Sequence, residues 1–196
     1  MNIDYLVSNN NKKIAGPIVF YPDIMRDERG YFFESWNKRN FFNLFGKDIN
    51  FIQDNQSMSH ENVLRGLHFQ LDPYAQCKLV RVLTGSVKDV VVDLRLNSPT
   101  FSEWSIVELN ASTNNQLLIP EGFAHGFLSL MNNTIVQYKV NNYWYPEYER
   151  TLRWDDKIID INWNDHLPKK DKYLVSEKDK NGFLLEDLIH SNEVFS

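Results

Sequence analysis

The chain has 196 residues, of which 42% are hydrophobic and 24% are charged, which is ordinary for a globular protein. The formal net charge of -5 argues against a nucleic-acid partner, because nucleic-acid-binding domains usually carry a basic surface. Cys77 is the only cysteine, which excludes an intrachain disulfide and suits a reducing compartment. No apolar run approaches the roughly 20 residues of a membrane span, and the N-terminal residues lack an apolar signal core. We therefore expect a single cytoplasmic domain over residues 1–196, without membrane contact.

A short helix is the first element that the sequence predicts. Ser35 or Asn37 could cap its start, it would continue to Phe45, and Gly46 would end it. The region from about residue 51 to residue 145 then reads as a series of short strands, and we expect it to form the core of the fold.

Residues 78–83 and 87–94 are the clearest strands in this region. They flank the turn Thr84-Gly85-Ser86, which predicts a β-hairpin. Residues 97–100 read as a turn, residues 117–119 as a strand ending at Pro120, and residues 127–140 as two further strands. The tail over residues 155–196 is polar, with a short helix near residues 186–190. Short strands at this spacing indicate a sandwich or a barrel.

Two segments each place a histidine close to glycine. They are VLRGLHFQ over residues 63–70 and IPEGFAHGF over residues 119–127. The second has the P-x-G-x-x-H spacing of a cupin barrel strand, but the first has Gln70 where a second metal-binding histidine would stand. Two histidines rarely hold a transition metal unless carboxylates complete the ligand set. We therefore expect no metal, and consider a metal-dependent cupin such as a dioxygenase as an alternative.

A barrel with histidines but without a metal favours acid–base chemistry, because histidine titrates near neutral pH. Such chemistry needs an orienting carboxylate, a cation near the developing negative charge and a proton donor. The candidates are Asp89, Asp93 and Asp179 as carboxylates, Arg65 and Lys78 as cations, and Tyr138 as the donor. The pattern alone does not choose among them, and each residue taken singly has an equally simple structural interpretation.

Motifs along nearly the whole chain resemble the dTDP-4-dehydrorhamnose 3,5-epimerase (RmlC-type) family, in the family's order. They are DERGYFFE at 27–34, QDNQS at 53–57, VLRGLHFQ at 63–70, KLVR at 78–81, DV at 89–90, SPTF at 98–101, IPEGFAHGF at 119–127, YK at 138–139, RWDD at 153–156 and SEKD at 176–179. Each motif is weak alone, but together they are specific. Cys77 departs from the pattern, since a small residue such as glycine is expected before Lys78.

The resemblance implies an all-β fold, a cupin-type double-stranded β-helix (jelly roll) with short peripheral helices. The barrel core would span about residues 51–145 and a C-terminal appendage about residues 155–196. The resemblance also implies a homodimer without a metal or organic cofactor. The substrate would be the dTDP-sugar dTDP-4-dehydro-6-deoxy-D-glucose, converted to dTDP-4-dehydro-L-rhamnose.

The resemblance also implies a role for each site residue. The catalytic residues would be His68 as the base, Asp179 as the carboxylate that orients it, Tyr138 as the acid and Lys78 as the cation near O4 of the sugar. The substrate-binding residues would be Arg29, Phe32 and Glu34 reaching in from the partner subunit, Gln53 and Asn55 near the nucleotide, Arg65 and His125 at the sugar, Asp89 supporting Lys78, and Tyr143 and Trp144 near the thymine.

Two further alternatives remain open at this point. One is a mono-epimerase that inverts only C3 or only C5 of a related dTDP-4-keto-6-deoxy sugar, because relatives with narrower action can keep the same residues. The other is a sugar-nucleotide binding module without catalysis. The combination of His68, Asp179, Lys78 and Tyr138 argues against the binding module.

Overall fold

The computed structural model of the protein describes residues 2–167 and 172–196. The strands in this part of the chain are β1 Asn2–Val7, β2 Lys13–Tyr21, β3 Met25–Asp27, β4 Gly30–Phe32, β5 Gln53–Ser59, β6 Val63–Gln70, β7 Lys78–Thr84, β8 Ser86–Asp93, β9 Trp104–Asn110, β10 Gln116–Ile119, β11 Phe123–Ser129, β12 Thr134–Val140, β13 Glu149–Thr151 and β14 Leu174–Val175. The helices are α1 Lys38–Phe45, α2 Glu177–Lys180 and α3 Leu185–His190, with a 3-10 turn at Trp163–His166. Within the same residues, no helix combines the length and the apolar character that a membrane crossing requires.

Twelve of the fourteen strands in the described residues form two sheets that face each other, and β3 and β4 form a separate two-stranded sheet. The first sheet has the order β1-β2-β10-β7-β12-β5, and the second has the order β13-β6-β11-β8-β9 with β14 parallel to β6. From β5 to β8 and again from β9 to β13, successive strands alternate between the two sheets. This alternation confirms the predicted cupin-type jelly roll with short peripheral helices.

The predicted strands around residue 85 are confirmed, but the predicted hairpin is wrong. β7 pairs with β10 and β12, whereas β8 pairs with β9 and β11 in the other sheet. The Gly85 turn therefore carries the chain from one sheet to the other. A Cβ atom on Gly85 would lie 2.4 Å from Oγ1 of Thr134, so the turn is tightly packed. Apolar runs predict that a strand forms, but they do not identify its partner.

The predicted short helices are confirmed. Asn37, rather than Ser35, caps α1 by accepting the N–H of Asn40, and Gly46 ends the helix in the left-handed conformation. Helix α3 covers the predicted residues 186–190. The bounds of α1 follow local capping chemistry, which a sequence records directly.

The sequence did not predict β1 and β2, which extend the first sheet. β2 pairs with β10, with Ile18 opposite Leu118. At the other end of the chain, Leu188 and Phe195 belong to the same buried cluster as Leu64 and Val90 of the second sheet. Residues from both ends therefore pack on the central strands.

Candidate active site

A cavity of about 390 Å³ is lined by strands of both sheets. Strands β5, β7 and β12 contribute from the first sheet, and β6, β11 and β13 from the second. The predicted site residues that line the cavity are Gln53, Asn55, Arg65, His68, Lys78, His125, Tyr138 and Trp144. Residues far apart in the chain meet here because the strands that carry them alternate between the sheets.

His68 is paired with Asp179. Nε2 of His68 lies 2.6 Å from Oδ1 of Asp179, and the backbone N–H of Gly66 donates to Oδ2 at 3.3 Å. Burial works to raise the pKa of the Asp179 carboxyl, but the hydrogen bonds from His68 and Gly66 outweigh it, so this pKa lies below its ordinary value. An ionised carboxylate only accepts hydrogen bonds, so Nε2 of His68 carries the hydrogen between the two groups, and in the neutral imidazole Nδ1 keeps a lone pair. An imidazole held in this way can accept a proton.

The short helix α2 places Asp179 next to His68. Ser176 caps this helix by accepting the N–H of Asp179 at 3.1 Å. The preceding strand β14 runs parallel to β6, with Leu174 opposite Val63. The helix therefore begins beside the strand that carries His68, and this closes a separation of 111 positions in sequence.

Gly66 and Gly126 allow close approach of the two histidine-bearing strands. A Cβ atom on Gly66 would lie 2.7 Å from Cα of Gly126 and 2.7 Å from the carbonyl oxygen of His125. Gly66 also has a φ of 110°, which L side chains rarely adopt. His68 and His125 are direct partners in the β6–β11 register. The glycine near each histidine therefore permits both imidazoles to reach one cavity.

Lys78 contributes a buried ammonium group to the cavity wall from the first sheet. Its Nζ atom donates to the backbone carbonyl of His68 at 3.0 Å. Burial lowers the pKa of Lys78 to about 8, although the charges of Asp89 and Glu149 oppose this shift. At neutral pH the group is therefore predominantly a cation in a site of restricted hydration, where its electrostatic effect on a nearby anion is strong.

His125 is held by Asp89. Its Nε2 atom lies 2.9 Å and 3.0 Å from the two carboxylate oxygens. Burial lowers the pKa of His125, and the charge of Asp89 offsets this only in part. Asp89 was expected to support Lys78, but its hydrogen bonds go to His125, and it acts on Lys78 through its charge. His125 is therefore oriented as a neutral, polar wall of the cavity.

Tyr138 provides a phenol from the first sheet. It lies opposite Asn55 in the β5–β12 register. Burial raises the pKa of Tyr138 and the charge of Glu149 raises it further, while Arg65 lowers it. The phenol is therefore protonated at neutral pH and can donate a proton or a hydrogen bond.

Gln53, Asn55 and Trp144 lie together on the cavity wall. Nε2 of Gln53 donates to Oδ1 of Asn55 at 2.9 Å, and the backbone N–H of Trp144 donates to Oε1 of Gln53 at 3.3 Å. Trp144 is 55% exposed. Tyr143 is not among the described residues that line the cavity, although it precedes Trp144.

Arg29, Phe32 and Glu34 are not brought into the cavity of their own chain. Arg29 lies in the turn of the small β3–β4 hairpin and pairs with Asp27 at 2.5 Å. Phe32 is 66% exposed, and Glu34 accepts a hydrogen bond from Asn37 at 2.9 Å. The hairpin thus presents an aromatic side chain to the surroundings.

Glu149 is a cavity residue that the sequence analysis missed. Its Oε2 atom lies 2.5 Å from Nζ of Lys178, which precedes Asp179 on α2. Burial works to raise the pKa of Glu149, but the Lys178 contact outweighs it and the pKa is lowered. The segment around Glu149 carries no recognised motif. Only the pairing of β13 with β6 places it near His68, so no sequence signal was available.

Gln70 stands at the position expected for a metal ligand, but its side chain binds main-chain atoms instead. Its amide hydrogen-bonds to main-chain atoms of Tyr74, Tyr143 and Tyr145. Across residues 2–167 and 172–196, no cluster of three or more His, Cys, Asp or Glu side chains is arranged to hold a metal ion. The groups that line the cavity include the imidazole of His68, which is hydrogen-bonded to the Asp179 carboxylate behind it, the ammonium of Lys78 and the phenol of Tyr138. These are the groups that proton transfer next to a carbonyl requires.

The chain is similar to known proteins in both sequence and fold. Residues 11–187 match the family described as dTDP-4-dehydrorhamnose 3,5-epimerase. The enzyme of that name from Shigella flexneri is 48% identical over 170 residues, which cover 87% of this chain and 91% of the relative. The structure of RmlC from Legionella pneumophila in complex with dTDP-4-keto-L-rhamnose has a TM-score of 0.87 and 38% identity, covering 99% and 98% of the two chains. The structure of a 3'-monoepimerase from Streptomyces bikiniensis in complex with dTDP-quinovose has a TM-score of 0.86 and 30% identity, covering 92% and 89%.

The jelly roll and its cavity define a cupin-type protein of the sugar-nucleotide epimerases. More narrowly, the chain belongs to the dTDP-4-dehydrorhamnose 3,5-epimerase family. The resemblance that the sequence motifs indicated is therefore confirmed, and the family is one of isomerases.

Proposed function

We propose that the protein epimerises dTDP-4-dehydro-6-deoxy-D-glucose at C3 and C5 to give dTDP-4-dehydro-L-rhamnose. The observation that carries this proposal is that His68, hydrogen-bonded to Asp179 at 2.6 Å, lines one cavity with Lys78 and Tyr138. Membership of the family and the ligand named in the Legionella complex support the choice of substrate.

His68 acts as the base in this proposal. The ketone at C4 acidifies the hydrogens on C3 and C5, and Nδ1 of His68 removes one of them as a proton. The electron pair of the C–H bond moves into an enolate, with its charge on O4. Asp179 keeps the imidazole in the required tautomer and stabilises the imidazolium that forms.

Lys78 stabilises the enolate, and Tyr138 completes the inversion. A buried ammonium at O4 is fixed before the charge develops, which is the most effective arrangement for electrostatic stabilisation. The phenol of Tyr138 then gives its proton to the carbon from the face opposite to His68. His68 releases its proton and Tyr138 takes one from solvent, which restores the starting state.

A mono-epimerase is the second candidate, and the similarity to the 3'-monoepimerase of Streptomyces bikiniensis favours it. One base and one acid suffice for inversion at one centre as well as at two. The distinction depends on how far the bound sugar can turn to present a second carbon to His68.

We also propose that two copies of the chain form a homodimer in which the β3–β4 hairpin enters the partner's site. The support is the 66% exposure of Phe32 and the position of Arg29 and Glu34 outside the cavity of their own chain. An exposed aromatic hairpin is stabilised when a partner covers it.

We further propose that residues 1–196 act as one domain in the cytoplasm. The packing of Leu188 and Phe195 against the second sheet supports a single unit, with the tail as its appendage. Cys77 is buried and unpaired, which suits a reducing compartment.

The test is incubation of the purified protein with dTDP-4-dehydro-6-deoxy-D-glucose in deuterated water, followed by NMR. We expect deuterium at both C3 and C5, with the L-configured product trapped by a reductase. Exchange at one carbon only would replace this function with the mono-epimerase, and the absence of exchange at both would refute both candidates.

A further inference from the structure

Gln70 is buried, with 2% exposure, and its side chain is committed to the main chain. Nε2 donates to the carbonyl oxygens of Tyr74 at 2.7 Å and Tyr143 at 3.0 Å. Oε1 accepts the backbone N–H of Tyr145 at 2.7 Å. A primary amide has two N–H hydrogens, so both have a partner and the oxygen is used as well.

The atoms that Gln70 holds stand on either side of Trp144. The carbonyl of Tyr143 belongs to the peptide bond that precedes Trp144, and the N–H of Tyr145 to the one that follows it. Trp144 is 55% exposed, so packing restrains its side chain less than that of a core aromatic residue. Its direction into the cavity therefore depends strongly on the backbone that Gln70 fixes.

Neighbouring contacts support the same loop. Nε2 of Gln76 donates to the carbonyls of Asn142 at 2.9 Å and Tyr143 at 3.3 Å. The rings of Tyr74 and Tyr145, whose main chains bond to Gln70, lie 3.9 Å apart between centroids. Loop 141–145 is therefore anchored by Gln70 at the end of β6 and by Gln76 in the segment between β6 and β7, with Gln70 at the centre of the anchor.

Glu149 lies beside this anchor. It is the direct partner of Gln70 in the β6–β13 register, and the side chain of Trp144 contributes to the lowering of its pKa. The cross-strand pair of Gln70 and Glu149 is therefore close to both the backbone and the side chain of Trp144.

We propose that Gln70 is a positioning residue that holds Trp144 against the nucleobase of the substrate, and so controls nucleotide binding rather than proton transfer. This inference rests on the proposed function, in which the substrate is a dTDP-sugar. Stacking on an aromatic side chain strengthens the binding of a base by roughly fivefold to a hundredfold. A misplaced indole loses a large part of this gain, while His68, Lys78 and Tyr138 keep their positions on other contacts.

The first test compares Gln70→Met with wild type by calorimetric titration with dTDP and by steady-state kinetics. Met has a similar size and removes all three hydrogen bonds. We expect the Kd for dTDP and the KM to rise about tenfold, which corresponds to the cost of unsatisfied backbone groups in the loop, while kcat falls less than threefold. In a Trp144→Ala background the same substitution should change the Kd less than twofold. An equal effect in both backgrounds, or a loss in kcat alone, would overturn the positioning role.

Gln70→Glu gives an independent reading, which also serves if Gln70→Met does not fold. A carboxylate at this position faces the carbonyl oxygens of Tyr74 and Tyr143 and repels them, whereas a protonated carboxyl can donate to one of them. The ratio of its Kd for dTDP to that of wild type should fall as the pH is lowered from 8 to 5. A constant ratio above one, or a ratio of one throughout, would contradict the inference.

Asn115→Leu is the matched control. Asn115 is a buried amide that also holds a turn, since it donates to the carbonyl of Glu108 at 2.8 Å and accepts the N–H of Asn110 at 3.0 Å, outside the cavity lining. Its loss should lower the Tm and leave the Kd for dTDP within twofold. A wild-type protein that does not bind dTDP would refute the proposed substrate class, whereas binding without coupling between Gln70 and Trp144 would refute the positioning role alone.

Discussion

At the scale of single residues, the two histidines of the barrel are held by carboxylates in the same way but are differently exposed. The side chain of His68 is 29% exposed and presents Nδ1 for reaction, whereas His125 is buried and neutral. His68 is therefore suited to exchange a proton with a ligand, and His125 to contact one without being charged.

The pKa values of Lys78 and Tyr138 predict the alkaline side of the pH profile. Burial lowers the pKa of Lys78 to about 8, so the cation is present below this pH and lost above it. The pKa of Tyr138 is raised above its ordinary value, so the phenol titrates later. We expect kcat/KM to decrease as the pH rises through about 8, since this parameter reports the free enzyme. A profile that stays flat to pH 9.5 would show that the charge on Lys78 is not required.

Motif position predicted most of the residues that the cavity assembles, but not how they contact one another. The residue types of His68, Lys78 and Tyr138 fit proton transfer, yet only the family resemblance selected Asp179, because nothing local connects positions 111 apart. Glu149 was missed for the same reason, since it reaches the cavity through strand pairing and not through a motif. The catalytic roles stay predictions.

At the scale of elements, local signals were sufficient where local physics decides the outcome. The cap at Asn37 and the stop at Gly46 fixed helix α1, and the turn at Thr84-Gly85-Ser86 marked where β7 ends and β8 begins. Pairing is a tertiary property, so a short turn that looked like a hairpin joins two sheets. β1 and β2 were overlooked because their side chains do not alternate strictly between buried and exposed.

The site depends on the close contact between strands β6 and β11. Gly66 and Gly126 meet where any side chain would collide with backbone. Their proximity brings His68 and His125 into register. The glycines in the two motifs therefore serve the geometry of the site, which explains why each lies close to a histidine in the sequence.

At the scale of the whole molecule, the exposed β3–β4 hairpin predicts a shared active site that mixing of variants can test. His68→Ala removes a cavity residue from its own subunit. Arg29→Ala alters the hairpin, which in the proposed dimer enters the cavity of the partner subunit. Each homodimer should be strongly impaired. In a mixed dimer, one site receives an intact cavity from one subunit and an intact hairpin from the other, so an equal, randomly exchanged mixture should recover about a quarter of wild-type activity. Size-exclusion chromatography with light scattering checks that dimers form.

No recovery after complete subunit exchange would contradict a shared site. A wild-type protein that is monomeric at assay concentrations would contradict the homodimer itself. Arg29→Ala activity equal to wild type would remove the hairpin from the site while leaving the dimer intact.

The most direct test of the acid–base assignment follows deuterium and configuration together in three proteins. Wild type, Tyr138→Phe and His68→Ala are incubated with dTDP-4-dehydro-6-deoxy-D-glucose in deuterated water, and NMR reads exchange at C3 and C5 and the configuration of the sugar. We expect Tyr138→Phe to exchange protons while forming the inverted product at least a hundredfold more slowly, as loss of a general acid implies, and His68→Ala to lose exchange at both carbons. Persistent exchange in His68→Ala, or an unchanged product rate in Tyr138→Phe, would contradict the account.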